Sequence, residues 1–167
     1  ATVTLGGLFG SKIMPEGSGF WLNNSLRYCT FEPAGNPMDA HPGRRKMSSD
    51  APSIILKDGR PVAALGTPGG HTITQAVSQM IMNLLDHGMT IDGAVSSPRI
   101  AFIEPNTLAM EETIPAPIRE EMAAMGHEVE VRNIGNANAL AIEYLEDGSV
   151  RFTGASDPRG AGLAKGL

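Results

Sequence analysis

Cysteine is almost missing from this sequence: Cys29 is the single one among 167 residues. One thiol excludes an internal disulfide framework and a cysteine-based zinc cluster. An excess of positive charge is missing too. Thirteen Lys and Arg stand against eighteen Asp and Glu, for a net charge of -5. That balance argues against nucleic acid as the main partner, since a generic polyanion binder is basic. No apolar run approaches the roughly 20 residues of a membrane span. The first residues, Ala1-Thr2-Val3-Thr4-Leu5, lack the basic segment of a signal peptide and an initiator Met. The chain is therefore expected to begin inside a longer protein. Aromatics are scarce at 5%, while Gly and Pro reach 20 and 12. Such a chain makes many tight turns and fills its core with aliphatic and Met side chains. Apolar residues at 41% suffice for that core. There is no internal repeat and no dividing linker, so residues 1–167 are expected to form a single domain.

Residues 1–5 and 19–24 read as short strands between turn formers. Periodicity disappears over 27–49, where Pro33, Gly35, Pro37, Pro42 and Gly43 predict a long loop, a kind of segment that is often functional. Asp58-Gly59, between apolar runs at 52–56 and 62–65, marks a hairpin. Residues 72–87 predict a helix whose buried stripe is Ile73, Ala76, Val77, Met80, Ile81, Leu84 and Leu85, with Gly88 as its stop. A short helix follows over 90–97, begun by Thr90 or Asp92. Strands are expected at 100–103 and 107–110, a helix at 115–125, and strands at 128–131, 139–145 and 150–153. Met80, Met82, Met122 and Met125 read as core filler. The order predicts an α+β fold with a largely antiparallel sheet covered by helices.

Three features could carry chemistry. Gly66-Thr67-Pro68-Gly69-Gly70 joins a strand to a helix, so its backbone N–H groups can converge beside a helix N-terminus and stabilise an oxyanion. It is neither a phosphate loop, having no Lys, nor a dinucleotide fingerprint, and a plain tight turn stays open. Ser48 and Ser49 follow Arg44-Arg45-Lys46, a set that suits a carboxylate but also an ordinary solvated loop. Asp157-Pro158-Arg159 can place an ion pair near the tail. The four histidines, His41, His71, His87 and His127, have no ligand spacing, so no metal site and no cofactor is expected. No Gly-x-Ser-x-Gly elbow occurs, and Cys29 reads as a packed residue rather than a nucleophile. The residues themselves supply no nucleophile.

Four motifs in order give the chain a resemblance to the γ-glutamyltransferases, in their small (C-terminal) subunit. They are Leu22-Asn23-Asn24, Arg44 to Ser53, Gly66 to Gly70, and Gly154-Ala155-Ser156-Asp157-Pro158-Arg159. Asp86-His87-Gly88-Met89 and Ala94 to Arg99 fit as well. The resemblance implies an N-terminal-nucleophile hydrolase with an αββα sandwich, this chain being the small-subunit half. It implies a self-cleaving precursor and a heterodimer with the large subunit. The new N-terminal Thr, which the register puts ahead of Ala1, would attack a small amide with its own α-amino group as base. Gly69 and Gly70 would form the oxyanion hole. Ser48 and Ser49 would bind the substrate carboxylate, helped by an Arg of the large subunit. Thr4 would match the family's second threonine, which positions the nucleophile's amine.

The chain departs from the family where the substrate's α-amino group is held. Asn, Gln and an acidic residue are there replaced by Gly6, Ser25 and Tyr28. A cationic amine needs acceptors or a carboxylate, so the expected substrate is an acyl amide without that amine. The cephalosporin (glutaryl) acylase and oxamate amidohydrolase branches act on such amides. A non-catalytic subunit that keeps the fold is the alternative of another class. Members of the family are both exported and cytoplasmic, which leaves the compartment open.

Overall fold

The hairpin signalled by Asp58-Gly59 organises a sheet. In the computed structural model, which describes residues 3–32 and 34–166, β1 (Ser53–Lys57) and β2 (Arg60–Gly66) pair antiparallel. Asp58 (φ 52°) and Gly59 (φ 77°) turn between them, both left-handed as a twisted two-residue hairpin requires. β6 (Asn138–Tyr144) pairs with β2, and β7 (Val150–Ser156) with β6, both antiparallel. The resulting order is β1-β2-β6-β7. A second sheet has the order β3-β4-β5, from Ile100–Ile103, Thr107–Met110 and Glu128–Val131. β4 and β5 run parallel because α3 (Ala116–Ala124) intervenes in sequence between them.

Helix α1 (Ile73–Leu85) has apolar residues for both sheets. Ile73, Val77 and Met80 join Leu65, Ala139 and Ala155 of the four-stranded sheet, with Ile91 and Val95 of α2 (Ile91–Ser96). Ala76 joins Ala101 and Ala109 of the three-stranded sheet, with Ile134. Thr90 caps α2, its hydroxyl accepting from the Gly93 N–H at 3.1 Å. Gln75 and Gln79, one turn apart on α1, reach the edge of β3. Gln75 Oε1 accepts from Phe102 N–H (2.7 Å) and its Nε2 donates to Phe102 O (3.0 Å). Gln79 repeats the pattern at Ile100, at 3.0 and 2.8 Å. The architecture is the expected α+β, mostly antiparallel with one parallel pair.

The described residues fall into two compact units, Ala1–Asp50 and Ala51–Leu167, and all seven strands named above lie in the second. In the first unit the expected strand at 19–24 does not form. Leu22 N–H donates to Ile13 O, and Ser11 N–H to Leu22 O, but the left-handed Phe9, Gly10, Lys12 and Gly19 curl the chain before a ladder can extend. Val3, Thr4 and Leu5 are not a strand either; Asn24 N–H donates to Leu5 O there, with no ladder beyond it among the described residues. Ala1 and Thr2, the rest of that expected strand, lie outside the described residues. Among the described residues of the expected loop at 27–49, Asp39 gathers local bonds. It accepts from Thr30 Oγ1 (2.7 Å), Gly35 N–H (2.7 Å) and Asn36 N–H (3.0 Å). Led by the Thr30 hydroxyl, these bonds hold its carboxyl below the ordinary value.

Three side chains expected in the core are exposed in this chain: Leu85 (60%), Met82 (50%) and Met125 (63%). Leu85 ends the last turn of α1, past the sheet residues that cover its stripe. Met82 sits off that stripe, and Met125 caps α3, which buries nothing. No described helix is long and apolar enough to cross a membrane.

Candidate active site

The Gly66–Gly70 turn leaves β2 where Gly66 pairs with Asn138, and it runs into a 3-10 turn, Gly70–Thr72, that starts α1. Gly69 (φ 145°) and Gly70 (φ 61°) both need a conformation that side chains disfavour. A Cβ on Gly69 would lie 2.8 Å from Thr72 Oγ1, whereas one on Gly70 would meet open space. Two hydroxyls flank these glycines. Thr67 Oγ1 donates to Pro68 O at 2.9 Å and accepts from Asn136 N–H at 2.8 Å. Thr72 Oγ1 donates to Gly69 O at 3.0 Å. The neighbouring Gly135 is tight against them: a Cβ there would lie 2.4 Å from Thr67 Oγ1.

Behind this turn sits a buried ionic network. Arg99 (1% exposed), Glu111 (3%) and Asp157 (1%) join Arg159. Arg99 Nη2 meets Asp157 Oδ2 at 2.8 Å, and Arg159 Nη1 meets Asp157 Oδ1 at 2.8 Å. Arg159 also grips Glu111 through Nε and Nη2. Two cations and two anions cancel, which is how charges survive burial. Burial pushes the Asp157 carboxyl up, but bonds from Ala137 N–H, Arg159 and Arg99 outweigh it and hold the group below its ordinary value. The network also fixes backbone. Glu111 Oε1 accepts from Ile134 N–H (2.8 Å) and Arg99 Nη1 donates to Ile134 O (2.7 Å), just before Gly135 and Asn136. The ion pair expected at Asp157-Pro158-Arg159 is thus present, in a larger form. Glu111 was invisible in sequence, since two acidic residues after a strand, Glu111-Glu112, read as an ordinary solvated turn. Thr67 and Thr72 could have been found from the hydroxyls bracketing a glycine turn.

The first unit holds the remaining candidates. Thr4 is exposed, and its hydroxyl accepts from Gly6 N–H at 3.0 Å. Gly6 (φ 86°) lies against Asn24, whose Oδ1 would be 2.4 Å from an added Cβ and Ser25 N 3.4 Å. Asn24 Oδ1 accepts from Gly7 N–H at 2.7 Å, so the second Asn of Leu22-Asn23-Asn24 holds this turn. Ser25 and Tyr28 begin and end a single 3-10 turn, Ser25–Tyr28. The structure therefore brings Gly6 and Ser25 together, with Tyr28 one turn on. Two cations lie over the Tyr28 ring, Arg27 at 5.5 Å and Lys46 at 5.2 Å from its centroid. Ser48 Oγ donates to Asp50 Oδ2 at 2.8 Å, and half-buried Ser49 follows it. Cys29, a free half-buried thiol, lines a shallow cavity with Arg44, Arg45 and Lys46. All four histidines are exposed.

Comparison with known proteins accounts for this set of motifs. The chain is 38% identical over 159 residues to the acylase ACY 1 proenzyme of Pseudomonas sp. (strain SE83), covering 93% of this chain and 27% of that protein. It is 34% identical over 168 residues to the glutathione hydrolase proenzyme of Bacillus subtilis (strain 168), covering 99% and 28%. It thus spans little more than a quarter of these curated relatives. A crystal structure of a mutant Helicobacter pylori gamma-glutamyltranspeptidase superposes with a TM-score of 0.86 at 31% identity, over 96% of this chain and 92% of that one. The fold is accordingly that of an N-terminal-nucleophile hydrolase. With the gamma-glutamyltranspeptidase family model matching residues 1–167 from end to end, the chain belongs to the γ-glutamyltranspeptidase family.

Proposed function

We propose that this chain is the small subunit of an N-terminal-nucleophile amidohydrolase or acyltransferase, paired with the large subunit of the same precursor. The observation that carries the reading is the Gly66–Gly70 turn, with consecutive left-handed glycines at the entry to α1. Such a turn can aim two backbone N–H groups at one oxygen. In the mechanism, a Thr ahead of Ala1 attacks the carbonyl of a small amide, its own α-amino group taking the hydroxyl proton. The amide oxygen becomes an oxyanion held by Gly69 and Gly70 N–H. The amine leaves with a proton, and water or an acceptor amine then resolves the acyl-enzyme. Thr4 orients the nucleophile's amine, and Ser48 and Ser49 receive the substrate carboxylate.

Within this reaction we infer an acyl group without a γ-glutamyl α-amine. Gly6 offers no side chain, Ser25 is neutral, and Arg27 and Lys46 over Tyr28 repel an ammonium group. The test uses the intact two-subunit protein and compares a γ-glutamyl anilide with the glutaryl anilide, which lacks only the amine. Faster glutaryl turnover is expected. Faster γ-glutamyl turnover sinks the inference from Gly6, Ser25 and Tyr28, and turnover of neither favours another small acyl amide or a non-catalytic subunit.

A further inference from the structure

We propose that the hydroxyls of Thr67 and Thr72 are positioning groups that set the direction of the Gly69 and Gly70 N–H donors. This rests on the oxyanion role given to those glycines above. A trans peptide is planar, with its C=O and N–H on opposite sides, so pinning the oxygen aims the N–H. The peptides of this turn are trans, Glu104-Pro105 being the cis bond recorded among the described residues. Pro68 O and Gly69 N–H share one plane, and Thr67 Oγ1 pins its oxygen at 2.9 Å. Gly69 O and Gly70 N–H share the next, and Thr72 holds that oxygen with Oγ1 at 3.0 Å and N–H at 3.3 Å. Each plane that carries a donor is therefore fixed from its far end by a threonine.

Glycine makes these pins necessary. Its backbone enters several conformations at similar energy, so both planes could otherwise rotate. Thr67 is itself prevented from turning. Its oxygen accepts the Asn136 N–H while its one proton goes to Pro68 O. Gly135 allows this approach because it has no Cβ. The next residue back, Ile134, is tied by both backbone groups to Glu111 and Arg99. The buried ionic network thus reaches the turn through Thr67. Neither hydroxyl needs to touch substrate, since both act through the glycines.

The test makes Thr67→Val and Thr72→Val in the intact two-subunit protein, with Thr67→Ser and Thr72→Ser beside them. Val keeps the shape and loses the hydroxyl, whereas Ser keeps the hydroxyl. Removing an oxyanion donor outright costs about 10²–10³ in kcat. A misaimed donor should cost roughly 10- to 100-fold, with KM within about twofold and the Ser variants near wild type. Equal losses in Ser and Val variants, or a change confined to KM, overturn the proposal. Crystal structures of the Val variants give a second readout. Rotated Pro68–Gly69 or Gly69–Gly70 planes support it, and unmoved planes overturn it. A wild-type protein that turns over no amide refutes the proposed function, and the peptide planes then decide this inference alone.

Discussion

Replacing Asp157 with Asn tests whether the buried charges hold the second unit together. The carboxylate accepts four bonds: Ala137 N–H at 2.8 Å, Arg159 N–H at 3.0 Å, and Arg99 Nη2 and Arg159 Nη1 at 2.8 Å each. Asn has nearly the same shape but carries no charge and turns an NH2 toward donors. Two guanidinium groups then face Glu111 alone. Breaking a buried pair by removing one partner costs about 3–5 kcal/mol. The control is Glu143→Gln, which breaks the Arg151–Glu143 pair, 3.0 Å long and about 60% exposed on both sides. That pair is expected to contribute about 0–1 kcal/mol. Urea denaturation of the intact protein at pH 7 measures both. The pH dependence follows with a definite sign. The folded Asp157 carboxyl titrates below its unfolded value, so its stabilisation is present above the unfolded pKa and is lost as pH falls through the folded one. The gap between wild type and Asp157→Asn should therefore narrow only below about pH 4. A deficit no larger than that of Glu143→Gln, or one unchanged at pH 3, refutes the reasoning.

Gly69→Ala should destabilise more than Gly70→Ala. The first adds a Cβ 2.8 Å from Thr72 Oγ1 at φ 145°, and the second carries only the left-handed penalty of about 1–2 kcal/mol at φ 61°. Thermal melts give the order, and equal shifts would contradict it. Gly135→Ala drives a Cβ to 2.4 Å from Thr67 Oγ1, so kcat for the preferred anilide should fall with little change in KM. Lys46→Glu places an anion over the Tyr28 ring, and γ-glutamyl turnover relative to glutaryl should rise on the order of fivefold. An unchanged ratio would remove Lys46 from amine selection. Gln79→Ala deletes two bonds to β3, and hydrogen exchange at Ile100 N–H should accelerate.

Most of the second unit could be read from its residues, because its signals are local. Asp58-Gly59 set the hairpin, and the 3.6-residue spacing of Ile73, Ala76, Val77 and Met80 set α1. The strands at 100–103, 107–110 and 128–131 fall where alternation and turn residues put them. The end of β7 escaped, since Gly154 hides three further paired residues. The first unit resisted for a physical reason: its apolar residues Phe9, Ile13 and Phe20 are exposed and its order rests on single bonds around Asn24 and Asp39. Periodicity cannot report such bonds. At the candidate site, the glycine turn was legible as a motif; its threonine pins are local bonds to Pro68 O and Gly69 O, signalled only by two hydroxyls beside the glycines, and the Asn136 N–H that fixes Thr67 is tertiary and carried no signal. The charge network was half legible, in Asp157 and Arg159, and its partners Arg99 and Glu111 come from elsewhere in the chain.

Gln75 and Gln79 give α1 a further consequence. Four residues of helix rise about 6.0 Å, and two residues of strand about 6.6–6.8 Å. Side-chain amides one turn apart therefore match the repeat of Ile100 and Phe102, and each amide turns its oxygen and one of its two N–H donors to the strand, as a peptide group would. The helix acts as an imitation strand, closing β3 with side chains instead of backbone. An open edge invites another chain to add itself. Here the three-stranded sheet is terminated on its β3 side, and any added strand must enter at β5.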